Sequence, residues 1–303
     1  MIFRRAILVA GATPAELLYS NTVKRADHIA AAHAAGVRLF VVDSHGEVDK
    51  VARVAPGSAV VCRLLTSGAG ADWPLSRKYG ALPDEALDIL RHAGARDLDP
   101  AGISFHVGSQ QRDPRAWDVP VAEAAAVFDG LRAHGFRPHL LDLGGGFPAD
   151  HGGAAPPLAD YGIGIRTAVE RAFGSDLPDL VVEPGRGLVG DAGVLVASVI
   201  GIVDRGDQRW VFLDAGVFTG LVETLDEAIR DHLTTTVDGP TGPCILAGPT
   251  CDSADVLYEK VPVDLPLGLA EGDRLTFHAA GAYTTCYSTV GFNGFAPLPT
   301  ILA

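Results

Sequence analysis

Four short stretches of the sequence hold residues whose types and spacing could do chemistry. Gly144-Gly145-Gly146 ends an apolar run and leads into Phe147-Pro148. Three consecutive residues without Cβ let several backbone N–H groups converge on one anion, usually a phosphate, although a tight turn after a strand uses the same glycines. Glu183-Pro184-Gly185-Arg186 ends the next apolar run. At the mouth of a parallel barrel such a group binds ligands; on a plain surface it is an ion pair worth little. His106-Val107-Gly108-Ser109 ends an earlier run, the imidazole standing near a glycine and a hydroxyl. Such a histidine is either functional or a satisfied structural residue. Gly248-Pro249-Thr250-Cys251-Asp252 sets a thiol beside a carboxylate within a turn. That pair reads as a proton donor next to a cation binder, or as a small buried thiol and a turn-forming aspartate.

Three of these stretches stand at the ends of apolar, β-branched runs, at 102–109, 140–148 and 180–188, preceded by similar runs at 16–21, 39–44 and 59–65. A run that is continuously apolar and then turns polar reads as a strand buried on both faces, with its chemistry at the carboxyl end. Stretches 25–36 and 121–135 lie between them, carry apolar residues at helical spacing and stop at glycine. Repeated β-α units imply parallel strands joined by right-handed crossovers. After Gly193 the runs at 194–204, 209–218, 244–248 and 274–283 follow one another with few helices between them. The expected organisation is therefore a β/α domain over 1–193 and a mainly antiparallel β domain over 194–303.

Composition narrows the classes further. With 37 acidic against 24 basic residues, the formal charge of −13 repels a polyanionic backbone, so nucleic acid is not an expected partner. No apolar run is long enough to cross a bilayer. The opening, with Arg4 and Arg5 before a short apolar stretch, raises the question of a signal peptide; Pro14 and Glu16 stand where a cleavage region should be, and a helix end followed by a strand is the better reading. Cys62, Cys244, Cys251 and Cys286 have neither zinc-ligand spacing nor disulfide density, so no metal is expected and the cytoplasm is the default location.

The order of the motifs carries more than any one of them. His106-Val107-Gly108-Ser109, Leu141-Asp142-Leu143-Gly144-Gly145-Gly146-Phe147-Pro148, Glu183-Pro184-Gly185-Arg186, Gly248-Pro249-Thr250-Cys251-Asp252, and Gly281-Ala282-Tyr283 with Phe292-Asn293-Gly294-Phe295 together resemble the ornithine decarboxylases of eukaryotic type. These belong to the fold-type III pyridoxal-phosphate decarboxylases. The likeness runs from about residue 7 to the C-terminus. Diaminopimelate decarboxylases, their relatives, have Cys-Glu-Ser where this chain has Cys251-Asp252-Ser253, and the stretch 218–229 is similar to bacterial and plant ornithine and lysine decarboxylases. The resemblance implies a TIM-type β/α barrel of the alanine-racemase kind followed by an antiparallel β domain. It implies that His106 stacks on a pyridoxal ring, that Ser109, Gly144, Gly145, Gly146, Gly185, Arg186 and Tyr283 hold its phosphate, and that Glu183 faces its pyridine nitrogen. Cys251 would supply a proton after decarboxylation and Asp252 would engage the distal ammonium of a small basic amino acid. In this family those two residues serve the partner subunit, so a homodimer with shared active sites is implied.

One family feature has no counterpart. The cofactor-holding lysine stands in a Tyr-Ala-Val-Lys-like motif, and none of Lys24, Lys50, Lys78 or Lys260 does. By the same alignment the first two barrel strands and the first strand of the second domain are absent, leaving an incomplete barrel of six strands where closure takes eight. A fragment, a split enzyme with a separate N-terminal chain and a non-catalytic homologue each account for this, and Lys24 carrying the cofactor is a further alternative. The expected activity, decarboxylation of L-ornithine to putrescine, thus belongs to a complete or complemented form, the isolated chain being expected to be inactive. Lysine or diaminopimelate as substrate, an alanine-racemase-type enzyme and an unrelated phosphate-binding barrel are the competing readings.

Overall fold

The computed structural model describes residues 11–153, 155–284 and 286–287; the opening segment 1–10 and the motif at 292–295 lie outside them. Two compact units form, Met1–Phe147 with Pro156–Pro184, and Pro148–Ala155 with Gly185–Ala303. The sequence pattern changes a few residues later, near Gly193.

In the first unit every apolar run at the head of a β-α repeat is a strand. These are β1 (Leu18–Tyr19), β2 (Leu39–Val42), β3 (Ala59–Arg63), β5 (Asp99–Ser104), β7 (Leu140–Asp142) and β8 (Asp179–Val181). They lie in that order in one six-stranded sheet, and all of its pairings are parallel. A two-stranded antiparallel ribbon joins β4 (Ala71–Trp73) to β6 (Ser109–Gln111). The helices are α1 (Ala26–Ala34), α2 (His45–Val54), α3 (Pro83–Gly94), α4 (Asp118–Ala133) and α5 (Leu158–Phe173). α3 starts where it does because Pro83 needs no N–H partner and the Glu85 carboxylate accepts the Leu82 N–H at 2.9 Å.

Both faces of the sheet are apolar, as runs without alternation require. Phe40, Val42, Val60, Cys62 and Ile103 pack against helical residues such as Val48, Leu90 and Phe128. Val41, Val61, Ala101 and Leu140 form a smaller cluster on the opposite face with Leu39, Ala59 and Val181. Ala101 and Ile103 would share a face in a regular strand, yet they join different clusters. The register explains it: Val60 pairs with Pro100 and Val61 with Gly102, so Ala101 is an extra residue and β5 bulges there. The bulge brings Gly102 so close to β7 that a Cβ would sit 1.8 Å from the Leu140 carbonyl oxygen.

The second unit is one mostly antiparallel sheet. Its strands are β9 (Leu195–Arg205), β10 (Gln208–Leu213), β11 (Leu233–Thr235), β12 (Thr241–Ala247), β13 (Val256–Leu257), β14 (Val263–Pro266) and β15 (Arg274–Phe277), ordered β11-β15-β9-β10-β12-β13 with β14 also on β12. Among the described residues only β10 and β12 of this unit pair in parallel. Alternating residues of β9 and its neighbours, among them Val199, Val211, Leu246 and Phe277, close its core around the ring of Tyr258. A short helix, α6 (Arg186–Val189), opens the unit. Among the described residues no helix is long and apolar enough to cross a membrane.

Gly102→Ala should cost about 3 kcal/mol of stability, because the added methyl meets backbone and not a side chain that can turn away. Urea denaturation of the full chain reads this as a lowered midpoint with unchanged slope; an unchanged midpoint would mean the sheet relaxes freely at the bulge.

Candidate functional site

Parallel strands put all their carboxyl ends on one edge of a sheet, and the first unit sets its polar residues there. Asp43 follows β2, Arg63 ends β3, His106 follows β5, Asp142 ends β7 ahead of the three glycines, and Glu183 follows β8. The loops touch through backbone. A Cβ on Gly144 would lie 2.1 Å from the Phe105 carbonyl oxygen, one on Gly145 would lie 2.6 Å from that of Glu183 and 3.3 Å from His106 Nε2, and one on Gly146 would lie 2.4 Å from that of Gly108. Gly144 and Gly146 also take φ of 65° and 100°, open to glycine at little cost. The Glu183 N–H donates to the Gly144 carbonyl at 2.8 Å and the Gln111 N–H to that of Gly146 at 2.9 Å. The structure thus brings His106, Gly145 and Glu183 together, with Ser109 close by on β6.

This loop has room for an anion in the chemical sense. The Gly144 N–H is satisfied by the Asp142 carboxylate at 3.0 Å. Among the described residues nothing accepts the N–H of Gly145 or Gly146, although Gly145 is buried. Adjacent unpaired donors in a buried turn are rare unless a ligand takes them.

Charge at this edge is unevenly compensated. His106 is held down to about 4 by burial and then by the Arg63 charge, so its ring is neutral near pH 7. Its Nδ1 accepts the Gly108 N–H at 3.0 Å, which places the remaining proton on Nε2. Asp142 is pushed well above the ordinary carboxylate range, first by burial and then by the charge of Glu183. Burial lowers the pKa of Arg63, while Glu183, Asp142 and Asp43 hold its charge in place. Sequence reasoning missed Arg63 and passed over Asp142; a lone cation or anion at the end of an apolar strand is the signal that would have found both.

The remaining residues named from the sequence lie in the second unit. Arg186 is buried, its Cζ 4.8 Å from the centre of the Tyr283 ring, and the Tyr283 hydroxyl would meet a Cβ on Gly185 at 2.9 Å. Tyr283 has φ of 56°, a strained value for a bulky residue. Cys251 and Asp252 are both exposed. Their loop is pinned by buried Asp255, whose carboxylate accepts Thr250 N–H at 3.0 Å, Thr250 hydroxyl at 2.7 Å and Val217 N–H at 2.8 Å. Asp252 itself caps the turn through the Ala254 N–H at 2.9 Å. Among the described residues no cluster of His, Cys, Asp or Glu is placed to hold a metal.

Comparison with known proteins gives the chemistry a family. Residues 5–190 match the pyridoxal-dependent decarboxylase, pyridoxal binding domain. The lysine/ornithine decarboxylase of Selenomonas ruminantium is 36% identical over 96% of this chain and 73% of its own length. The crystal structure of Paramecium bursaria Chlorella virus arginine decarboxylase bound to agmatine superposes with a TM-score of 0.83 at 31% identity, over 97% of this chain and 79% of that one. Lysine decarboxylase from Selenomonas ruminantium in complex with PLP and cadaverine gives 0.81 at 34% identity, over 98% and 75%.

The pH response of His106 tests the edge. Because the unfolded chain takes up the proton near 6.5 and the folded chain only near 4, the stability drawn from its neutral burial is full above about 6.5 and lost as pH falls towards 4. NMR titration of the imidazole in the folded protein should therefore give a midpoint near 4, and His106→Phe should flatten the pH dependence of stability in that window. A midpoint at the ordinary value would leave His106 in open solvent.

Proposed function

The chain belongs to the pyridoxal-dependent decarboxylases, with pyridoxal phosphate as cofactor and a basic amino acid as substrate, and from that premise we propose that it forms the greater part of an enzyme converting L-ornithine to putrescine. The single observation that carries this reading is the meeting of His106, the open amides of Gly145 and Gly146, and Glu183 at the carboxyl edge of the parallel sheet. Bound pyridoxal phosphate supplies an electron sink for the pair left behind when carbon dioxide departs. The chain's residues do the rest. Gly145 and Gly146 N–H and Ser109 would hold phosphate oxygens, a role that the family resemblance gives to the Arg186 guanidinium of the second unit as well. His106, neutral and fixed by the Gly108 N–H, offers a flat face without bringing a charge. Glu183 keeps a proton on the ring nitrogen, since a carboxylate beside a base raises that base's pKa. The exposed Cys251 and Asp252 serve the site of a second copy, where Cys251 Sγ hands its proton to the α-carbon and Asp252 pairs with the distal ammonium.

In this reading none of the four lysines holds the cofactor. Lys24 is buried and engaged with Glu47, and Lys50 donates to Glu47 at 2.6 Å. Lys78 lies over the Tyr79 ring and Lys260 pairs with Asp226. The isolated 303-residue chain should therefore bind pyridoxal phosphate weakly, yield no lysine adduct on borohydride reduction, and release no carbon dioxide from ornithine. A polypeptide carrying the family's lysine segment, in cis or in trans, should restore all three. Turnover by the chain alone with Lys24 reduced onto the cofactor would overturn this assignment, and faster release from lysine than from ornithine in the restored enzyme would move the substrate to lysine.

In that restored enzyme Glu183→Gln should lower kcat by ~100-fold while changing cofactor affinity little, because an amide cannot hold the ring proton. Asp252→Ala should raise the KM for ornithine by ~10-fold, as the distal ammonium loses a charged partner. Equal loss of cofactor binding and turnover in the first variant would make Glu183 structural, and an unchanged KM in the second would take Asp252 out of the site.

A further inference from the structure

Arg186 is held by more than the ring of Tyr283. Its NH2 donates to Glu223 Oε2 at 2.5 Å and its NH1 faces His151 Nε2 at 3.4 Å. His151 is almost fully buried, with 3% of its side chain exposed, and its Nδ1 lies 3.3 Å from Asp231 Oδ1, at ion-pair distance but outside good hydrogen-bond alignment. Asp231 is fixed in turn: its other carboxylate oxygen accepts the Tyr258 hydroxyl at 2.9 Å. Arg186 Nε is buried and, among the described residues, has no hydrogen-bond partner.

These contacts fix the tautomer of His151. A guanidinium has only donors and a carboxylate only acceptors. The imidazole matches the charge of both neighbours with its proton on Nδ1, on the side of Asp231, and its lone pair on Nε2, towards Arg186. The other tautomer would set N–H against N–H and lone pair against carboxylate. With Glu223 holding one terminal nitrogen and His151 facing the other, the guanidinium plane is fixed from both sides, and its buried Nε–H, unpaired among the described residues, is one of the three donors left for a ligand. We infer that His151, oriented by Asp231, is a positioning residue that aims the Arg186 guanidinium at the phosphate of the cofactor.

The inference rests on the reading of Arg186 as a phosphate ligand, and the test separates the two. Equilibrium binding to the full chain is measured with pyridoxal phosphate and with pyridoxal, which lacks the phosphate. His151→Phe should weaken pyridoxal phosphate about tenfold, the loss of one hydrogen bond to a charged group, and leave pyridoxal unchanged. His151→Gln keeps an N–H for Asp231 and an oxygen for Arg186, and should restore most of the affinity. In an Arg186→Gln background His151→Phe should have no further effect. A parent chain that binds both ligands equally overturns the phosphate reading together with this inference. A parent chain that prefers pyridoxal phosphate, with His151→Phe weakening both ligands equally or neither, overturns this inference alone. Nitrogen-15 NMR of the ligand-free parent chain gives a readout independent of any variant's folding: a proton on Nδ1 of His151 supports the arrangement, and a proton on Nε2 sinks it.

Discussion

Three glycines in succession allow backbone from three loops to meet with no side chain between them, and the chemical edge of the parallel unit is built on that approach. The carbonyls of Phe105, Gly108 and Glu183 all stand where a Cβ on Gly144, Gly146 or Gly145 would have to go. Close packing turns loops, ordinarily the mobile parts of a β/α unit, into an extension of the sheet. The hydrogen bonds follow the same lines: Phe105 N–H to the Asp142 carbonyl at 3.1 Å and Glu183 N–H to that of Gly144 at 2.8 Å carry the ladder past the ends of the strands. His106 and Glu183 are thereby fixed relative to the turn by main chain, which costs less entropy than fixing them through long side chains.

That rigidity concentrates charge. Asp142 is needed because it satisfies the Gly144 N–H, yet it stands buried beside the charge of Glu183, and burial and that charge both oppose its ionisation. Arg63 is the cation that offsets both. The same guanidinium helps keep His106 neutral, since a second positive charge there would have neither solvent nor a partner of its own. The arginine at the end of β3 therefore acts on Asp142 and His106 at once, and a ligand bearing negative charge at this edge meets a field that the carboxylates have already partly spent.

Much of this could be read from the chain. The six parallel strands stand at or overlapping the continuous apolar runs, because the inner strands β2, β3, β5 and β7 are buried and leave little choice of residue type. The strand-rich second unit was equally plain, from short runs with few helices between them. The bulge at Ala101 was not legible: a one-residue slip shows only as a change of face, and Ala, Gly and Ile read alike in an apolar run. The motif residues were found because glycine, histidine and arginine at strand ends are unusual types in unusual places. Arg63 was missed for the opposite reason, a single cation inside a run with no companion at fixed spacing. His151, Glu223 and Asp231 were invisible because their partner Arg186 lies 35 residues from His151 and 37 from Glu223, and no local pattern spans such a gap.

Lys24 shows how far a perturbed group can be from a catalytic one. Its pKa is lowered, first by burial, which is the setting that makes a lysine nucleophilic in enzymes that use one. Nucleophilicity, however, needs a lone pair with somewhere to go. The Nζ of Lys24 donates to the carbonyls of Asn21 and Thr22 at 3.0 Å each and of Val41 at 2.5 Å, and lies 3.0 Å from Glu47 Oε1. Three protons thus face four acceptors, so these bonds offset part of what burial costs the ammonium, and removing a proton would leave a lone pair pointing at oxygen. The same Glu47 accepts the Lys24 N–H at 3.0 Å and pairs with Lys50, tying the start of α1 to α2. The burial of Lys24 is accordingly explained by the joint between two helices, a structural role that keeps its amine occupied.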